Sequence, residues 1–309
     1  MKRIVIDCDP GIDDAQAIMM AYRHPDVTIE AITTVSGNVG LNHTTANALK
    51  VLDVLEAGPI PVYPGANTGL VEVSENASFV HGEDGLGDVG FPASNRKPEE
   101  EPAALALIRL AKAQAGELEL VAIGPLTNLA LALRLEPELP SLYKRLVIMG
   151  GAYYGKGNTD NPPAEFNIFA DPDAAKVVFD NWPKFTMVSW EATIDHGFTF
   201  DQLQSLFDLD TPRSAFLEKV NQKMLHFLKN VLKGSMSFAA DPLAMAVLIE
   251  PDIVKESVEK YVQIERYGSL SRGMTVVDWF DLLNQTANVE IIQKVDVDRF
   301  FQLFKLAFE

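Results

Sequence analysis

Four aspartates crowd into eight residues near the start of the chain: Asp7, Asp9, Asp13 and Asp14, within Ile4-Val5-Ile6-Asp7-Cys8-Asp9-Pro10-Gly11-Ile12-Asp13-Asp14-Ala15. Like charges a few ångströms apart repel strongly once bulk water is excluded, so the group needs a cation or a hydroxyl-rich ligand among its oxygens. Carboxylate oxygens select a hard metal ion, whereas zinc would ask for His or Cys. An acidic cap on an ordinary strand-to-helix turn accounts for one or two of the four aspartates, not for all of them. The spacing fits such a turn: an apolar strand ends at Asp7 and Pro10-Gly11 reverses the chain. Asp13 and Asp14 then open a helix whose positive end favours anions, continued by Ala15, Ile18, Met19 and Tyr22.

The elements that must position these residues alternate between strand and helix, which argues for a mainly parallel sheet covered on both faces. A second strand is expected at 29–35 with a helix at 42–55, and a third at 118–123 with a helix at 127–135. Short apolar strands at 146–149 and 186–188 flank a helix at 171–180. A long amphipathic helix is expected at 213–232, another helix from 242 to 249, strands at 261–264 and 289–292, and a closing helix at 296–308. No repeat or linker divides the sequence, and the glutamates of 97–102 read as a solvated loop. The expectation is therefore a single α/β domain over residues 1–309 with a mainly parallel, Rossmann-like central sheet. Asp7 to Asp14 follow the first strand, Asn38 the second, Gly124 the third, Met149 the fourth and Trp190-Glu191 the fifth. All these positions are carboxyl ends of strands, where open α/β sheets bind ligands, so the residues are predicted to converge on one active site.

Composition narrows the partners. With 309 residues, 47% hydrophobic and 22% charged, the chain can bury a large core. Its 43 acidic against 26 basic residues give a net charge of −17, which repels nucleic-acid backbones and anionic membranes and favours a small, uncharged ligand. Cys8 is the only cysteine, which suits a reducing compartment. Met1-Lys2-Arg3 is followed by only three apolar residues before Asp7, unlike a secretory signal, and no apolar run approaches a membrane span; a cytoplasmic protein is expected.

The run Asp7-Cys8-Asp9-Pro10-Gly11-Ile12-Asp13-Asp14-Ala15 resembles the signature of the calcium-dependent nucleoside hydrolases, a family that includes inosine-uridine preferring enzymes. Further matches follow in family order: Thr33-Thr34-Val35-Ser36-Gly37-Asn38, His81-Gly82-Glu83-Asp84-Gly85, Gly124-Pro125-Leu126-Thr127-Asn128, Met149-Gly150-Gly151, Ala164-Glu165-Phe166-Asn167 and Asp241-Pro242. The similarity covers nearly the whole chain. It implies hydrolysis of the N-glycosidic bond of ribonucleosides, a role in nucleoside salvage, and a homodimer or homotetramer. It also implies a Ca2+ ion held by Asp9, Asp14, Asp241 and the main-chain carbonyl of Ile123, with Asp7 supporting the cluster from behind. In the family scheme a water on the ion loses its proton to Asp9 as it attacks C1′. The substrate contacts implied are Asp13 and Asn38 at the 2′ and 3′ hydroxyls, Asn167 elsewhere on the ribose, Met149 at its strand end, and Glu165 with Asn158 at the 5′-hydroxyl. An insertion in Asn158-Thr159-Asp160-Asn161-Pro162-Pro163 leaves Asn161 as the alternative to Asn158.

One expected group is missing. Inosine- and uridine-preferring relatives carry a histidine just before the late aspartate, able to protonate the departing base, where this chain has Phe238-Ala239-Ala240-Asp241. His81, in a matched glycine-rich loop, and His226, on the long helix expected to flank the site, are the candidate replacements; Trp190, Trp279 and Phe79 are candidates for aromatic activation instead. Two alternatives stand beside the hydrolase. Asp7-Cys8-Asp9 after an apolar strand also resembles the start of an aspartate-nucleophile phosphatase, although Asn38, Gly124 and Met149 stand where its phosphate-binding residues should be. A calcium-dependent nucleoside or ribose-binding protein that lost catalysis with the histidine is the other.

Overall fold

The computed structural model describes residues 1–72, 76–226, 228 and 234–309. Its strands are β1 (Lys2–Cys8), β2 (Val27–Thr34), β3 (Val62–Pro64), β4 (Leu118–Ala122), β5 (Arg145–Met149), β6 (Phe185–Val188), β7 (Phe198–Thr199), β8 (Met236–Ser237), β9 (Val254–Lys260), β10 (Val262–Ile264), β11 (Thr275–Val277) and β12 (Val289–Val295). The first helices are α1 (Ile12–Arg23), α2 (Leu41–Val54), α3 (Ser78–His81), α4 (Ala103–Ala113), α5 (Thr127–Leu135), α6 (Leu139–Leu142) and α7 (Phe166–Ala170). After them come α8 (Pro172–Asn181), α9 (Trp190–Asp195), α10 (Phe200–Phe207), α11 (Pro212–His226), α12 (Ala240–Ile249) and α13 (Val297–Leu306).

Eight strands form the central sheet in the order β3-β2-β1-β4-β5-β6-β12-β9, all parallel except the edge strand β9, which runs antiparallel to β12. Both faces are buried. Along β1, Ile4, Ile6 and Cys8 enter one core and Val5 the other, the two-residue alternation of a strand. Helix α12 is buried all round, as expected for Ala-Asp-Pro-Leu-Ala-Met-Ala-Val-Leu-Ile with a single charge at its start.

The chain winds outward from β1 through β2 to β3, then returns to lay β4 on the other side of β1. This reversal opens a crevice beyond the carboxyl ends of β1 and β4, the ligand-binding position of open α/β sheets. The first turn of α1 and the first turn of α12 meet there, each bringing aspartates to a positive helix end.

The expected alternation and its mainly parallel sheet are found, although helices α4 and α10 and the paired short strands β7 and β8 were not among the expected elements, and three strands differ from expectation. The strand at 118–123 is the fourth rather than the third, because three-residue β3, preceded by Pro61 and ending in Pro64, is too short to register as a pattern. The strand expected at 261–264 leaves the main sheet and pairs with β11 in a separate ribbon. Strand β9 was not expected at all, since Val-Lys-Glu-Ser-Val-Glu-Lys faces solvent along most of its length. The helix expected at 213–232 is described as α11 to His226; most of the remainder lies outside the described residues.

Candidate active site

Asp9 directly follows β1 and is fully buried. Its Oδ2 accepts the Asn38 amide at 2.6 Å, whereas Oδ1 is buried without a hydrogen-bond partner. Two glycines make room for this carboxylate: a Cβ on Gly37 would stand 2.1 Å from Asp9 Oδ2, and one on Gly124 would stand 2.6 Å from Oδ1. The two matched glycine motifs thus form the walls around one side chain.

Asp14, in the first turn of α1, accepts three N–H donors. The Asp9 amide bonds Oδ1 at 3.0 Å, and the Gly11 amide and Asn38 Nδ2 bond Oδ2 at 3.0 Å each. One carboxylate oxygen from each of Asp13, Asp14 and Asp241 lies within 4.8 Å of the others, and Asp13 Oδ1 is buried without a hydrogen-bond partner. Behind them, Asp7 accepts Thr33 Oγ1 at 2.5 Å and Asn128 Nδ2 at 2.8 Å through Oδ1, leaving Oδ2 unpartnered. Asn128 also donates to the Thr34 carbonyl and accepts the Ala66 amide, so it ties β1, β2 and the start of α5 together.

Burial and crowding disfavour the ionised forms. Burial, then the Asp14 charge, push Asp9 well above the usual carboxylate range, and burial followed by the charges of Asp13, Asp14 and Asp9 does the same to Asp241. Burial, then Asp13, raise Asp14 to about 7; burial alone raises Asp7 to about 7 against the hydrogen bonds from Thr33 and Asn128. Buried carboxylates with unpartnered oxygens and no sulfur or imidazole donor among them fit a hard divalent cation.

The neighbouring strand ends supply amides. Asn167, in α7, donates Nδ2 to the carbonyls of Ile123 at 3.2 Å and Met149 at 3.1 Å, fastening the ends of β4 and β5 together. Glu165 caps α7, accepting the Asn167 and Ile168 amides, and also accepts the Gly151 amide at 2.9 Å; burial raises its carboxyl to about 7. Asn158 accepts the Phe166 amide at 2.9 Å, whereas Asn161 donates away from this loop to the Arg272 carbonyl.

Of the two histidines, His81 is buried at the crevice. Its Nδ1 accepts the Ile12 amide at 3.0 Å, which assigns the proton of the neutral ring to Nε2, and burial holds its pKa below the ordinary value. His226 is exposed at the end of α11. Trp190 packs edge-on to Phe238 at 6.1 Å, beside the Ala239-Ala240-Asp241 run. Trp279 stacks on Tyr154 at 5.1 Å and packs against the core on the α4, α5 and α8 side, while Phe79 is exposed on α3. Glu191 has a role that its position after β6 did not disclose: its buried carboxylate accepts the amides of Tyr153, Tyr154 and Lys156, pinning the loop after β5.

An open α/β sheet with an oxygen-only acidic crevice at its switch point defines the class; comparison with known proteins defines the family. The profile described as inosine-uridine preferring nucleoside hydrolase matches residues 4–302. The non-specific ribonucleoside hydrolase RihC of Escherichia fergusonii is 42% identical over 304 residues, covering 97% of this chain and 95% of that one. The inosine-uridine preferring nucleoside hydrolase of Leishmania major is 36% identical over 308 residues, covering 98% and 96%. Among solved structures, a plant nucleoside hydrolase superposes with a TM-score of 0.92 at 32% identity, and an inosine-guanosine nucleoside hydrolase with 0.92 at 34%; each match covers 99% of this chain and 98% of the other. The chain belongs to the inosine-uridine preferring nucleoside hydrolase family and is an N-glycosidase that hydrolyses ribonucleosides to base and ribose. The aspartate-nucleophile phosphatase alternative falls with that match.

Proposed function

We propose that this ribonucleoside hydrolase works with a calcium ion held by Asp9, Asp14, Asp241 and the main-chain carbonyl of Ile123, and that Asp9 is the general base. The observation that carries the proposal is the buried carboxylate group itself: the hydrogen-bond donors to Asp9 and Asp14 are amides, so their charge is left for a ligand to offset. Bound there, calcium would lower the pKa of a water and offer positions to two ribose hydroxyls. Asp13 meets Asp14 and Asp241 in the same cluster, so it stands close enough to the ion to share the 2′-hydroxyl with it.

Asp9 is suited to take a proton from the attacking water, because the Asn38 amide fixes Oδ2 while Oδ1 stays free. Asn38 and Asn167 hold ribose oxygens, and Asn158 rather than Asn161 joins Glu165 at the 5′ end, since the Asn161 amide is spent on Arg272. The anionic surroundings stabilise the positive charge that grows on the sugar as the glycosidic bond breaks. With its Nδ1 occupied, His81 serves as a neutral imidazole that holds the start of α1 and has only Nε2–H to offer a base.

The departing base receives little proton assistance at Ala240, and Trp190, packed edge-on against Phe238, is the candidate for aromatic activation there. The single reduced cysteine supports a cytoplasmic location, and among the described residues no helix is long and apolar enough to cross a membrane. A panel of purine and pyrimidine ribonucleosides with p-nitrophenyl riboside tests the scheme. General acid catalysis contributes about 10²–10⁴-fold, so the activated riboside should be cleaved faster than inosine or uridine by a factor in that range. A natural nucleoside turned over as fast as the activated one would mean that a replacement acid exists. His81→Ala and His226→Ala, made singly, would then reveal it by slowing only the natural substrate.

A further inference from the structure

From Gly151 to Lys156 the chain forms neither helix nor strand, yet every main-chain amide of the stretch is bound. Gly155 bonds back to the Ala152 carbonyl, and the other five amides go to side chains from three separate elements. Glu165, capping α7, accepts the Gly151 amide at 2.9 Å. Thr275, in β11, accepts the Ala152 amide at 2.9 Å and donates to the Ala152 carbonyl at 2.7 Å through the same hydroxyl. Glu191, in α9, takes the remaining three: Tyr153 at 2.9 Å on Oε2, and Tyr154 at 2.7 Å and Lys156 at 3.2 Å on Oε1. Its carboxylate is 2% exposed, so these charge-assisted bonds form away from water, where a lost partner is costliest. The stretch runs on to Asn158, which accepts the Phe166 amide and so returns the loop to α7 beside Glu165.

We infer that Glu191 is a positioning residue for recognition of the substrate's 5′-hydroxyl, acting through the 151–158 loop. The inference rests on the proposed placing of Glu165 and Asn158 at that hydroxyl. Both depend on the loop: Asn158 is its last residue, and the Gly151 amide is one of the bonds that aim the Glu165 carboxylate. Glu191 holds the residues between these two points, so it fixes one relative to the other, and its own oxygens are committed to three amides. A carboxylate suits the task because it offers two acceptor oxygens, whereas a glutamine would keep one and turn its NH2 group toward a main-chain N–H. Misplacing a contact by about 1 Å can cost about 10²-fold in rate, so a loop shift too small to unfold the domain registers on substrates that carry the hydroxyl. Thr275 grips the same loop from β11 and should give a weaker form of the same signature.

The test is a ratio, kcat/KM on p-nitrophenyl riboside over that on its 5′-deoxy analogue, measured for the parent chain, Glu191→Gln and Thr275→Val. In the parent chain the hydroxyl should raise kcat/KM by about tenfold or more, as expected of a hydrogen bond to a charged group. Glu191→Gln should bring the ratio down by about tenfold while the deoxy substrate is cleaved within about threefold of the parental rate, and Thr275→Val, which removes a neutral group, should lower it by about threefold. A role in folding alone would lower both substrates together, as active protein is lost, and leave the ratio unchanged. Hydrogen exchange of the parent chain should find the amides of Tyr153, Tyr154 and Lys156 slow, a readout that needs no variant to fold. An unchanged ratio in Glu191→Gln, or in Thr275→Val should Glu191→Gln fail to fold, would overturn the inference while the parental hydroxyl effect still supports Glu165 and Asn158 at the 5′ end; so would fast exchange at the three amides. A parent chain indifferent to the hydroxyl would remove Glu165 and Asn158 from it, and the inference with them.

Discussion

The adjacent strands β1 and β4 bury carboxylates at both of their ends, with opposite outcomes. At the amino ends, Glu119 is 2% exposed and meets Lys2 Nζ at 3.1 Å and Lys144 Nζ at 3.4 Å. At the carboxyl ends, Asp9, Asp14 and Asp241 are equally buried, but the donors to Asp9 and Asp14 are amides, and oxygens of Asp7, Asp9 and Asp13 lack any hydrogen-bond partner. The first carboxylate is neutralised by the protein and belongs to the fold. The second group is left uncompensated, and that deficit, distributed over residues from both ends of the sequence, is what suits it to hold a cation. Glu191 and Asp171 extend the contrast, since each buried carboxylate is saturated by main-chain amides or a hydroxyl and so carries no deficit.

The largest separation between the two ends should appear in catalysis. Asp9→Ala should lower turnover by about 10³-fold or more, since it removes the proposed base and ion ligand together, whereas Glu119→Gln should leave the rate of ribose release unchanged. In urea unfolding Glu119→Gln should lose about 1 kcal/mol, because the charge-assisted bond to Lys2 is weakened while the exposed Lys144 ammonium returns to water. A Glu119 variant that impaired catalysis without loss of stability would break the comparison.

A smaller effect concerns the sugar. If Asp13 and Asn38 hold the 2′ and 3′ hydroxyls as proposed, only a ribonucleoside supplies both, and a buried polar group deprived of its partner loses about 1–3 kcal/mol. Cleavage of 2′-deoxyribonucleosides should accordingly be slower by one to two orders of magnitude in kcat/KM, roughly. Comparable rates on both sugars would remove Asp13 and Asn38 from the ribose.

How much of this was legible beforehand differs between the two ends. Four carboxylates in eight residues cannot all be satisfied locally, so Asp7 to Asp14 announced a ligand from their spacing. Asp241 did not, because it reaches the cluster only through the packing of α12 beside α1; the resemblance, not the local pattern, supplied it. Glu165 and Glu191 each stand beside a strand-end turn as a lone acid, and nothing in sequence tells that Glu191 is consumed by the amides of Tyr153, Tyr154 and Lys156. The histidines could be named but not given a state: the Ile12 amide on His81 Nδ1 depends on how α3 lies over α1. The main sheet was readable from apolar alternation, except where β3 is too short and β9 too exposed to carry it.

The least dramatic prediction separates the ends by pH. In the metal-free chain Asp7 and Asp14 titrate near 7, above the ordinary carboxylate value, so their contribution to stability is full below about 4 and is lost as pH rises through about 7. Thermal unfolding after chelation should therefore show a lower midpoint at pH 8 than at pH 5, by a few degrees, and added calcium should restore more at pH 8. Equal restoration at both pH values would mean that the aspartates are not what the ion relieves.

The most direct test is a calcium titration of metal-stripped protein, followed by calorimetry with ribose release measured on the same samples. Binding of a single ion per chain, with turnover rising in step with occupancy and both lost in Asp14→Ala, is the predicted result; undiminished ribose release in excess chelator, with no ion bound, would contradict it.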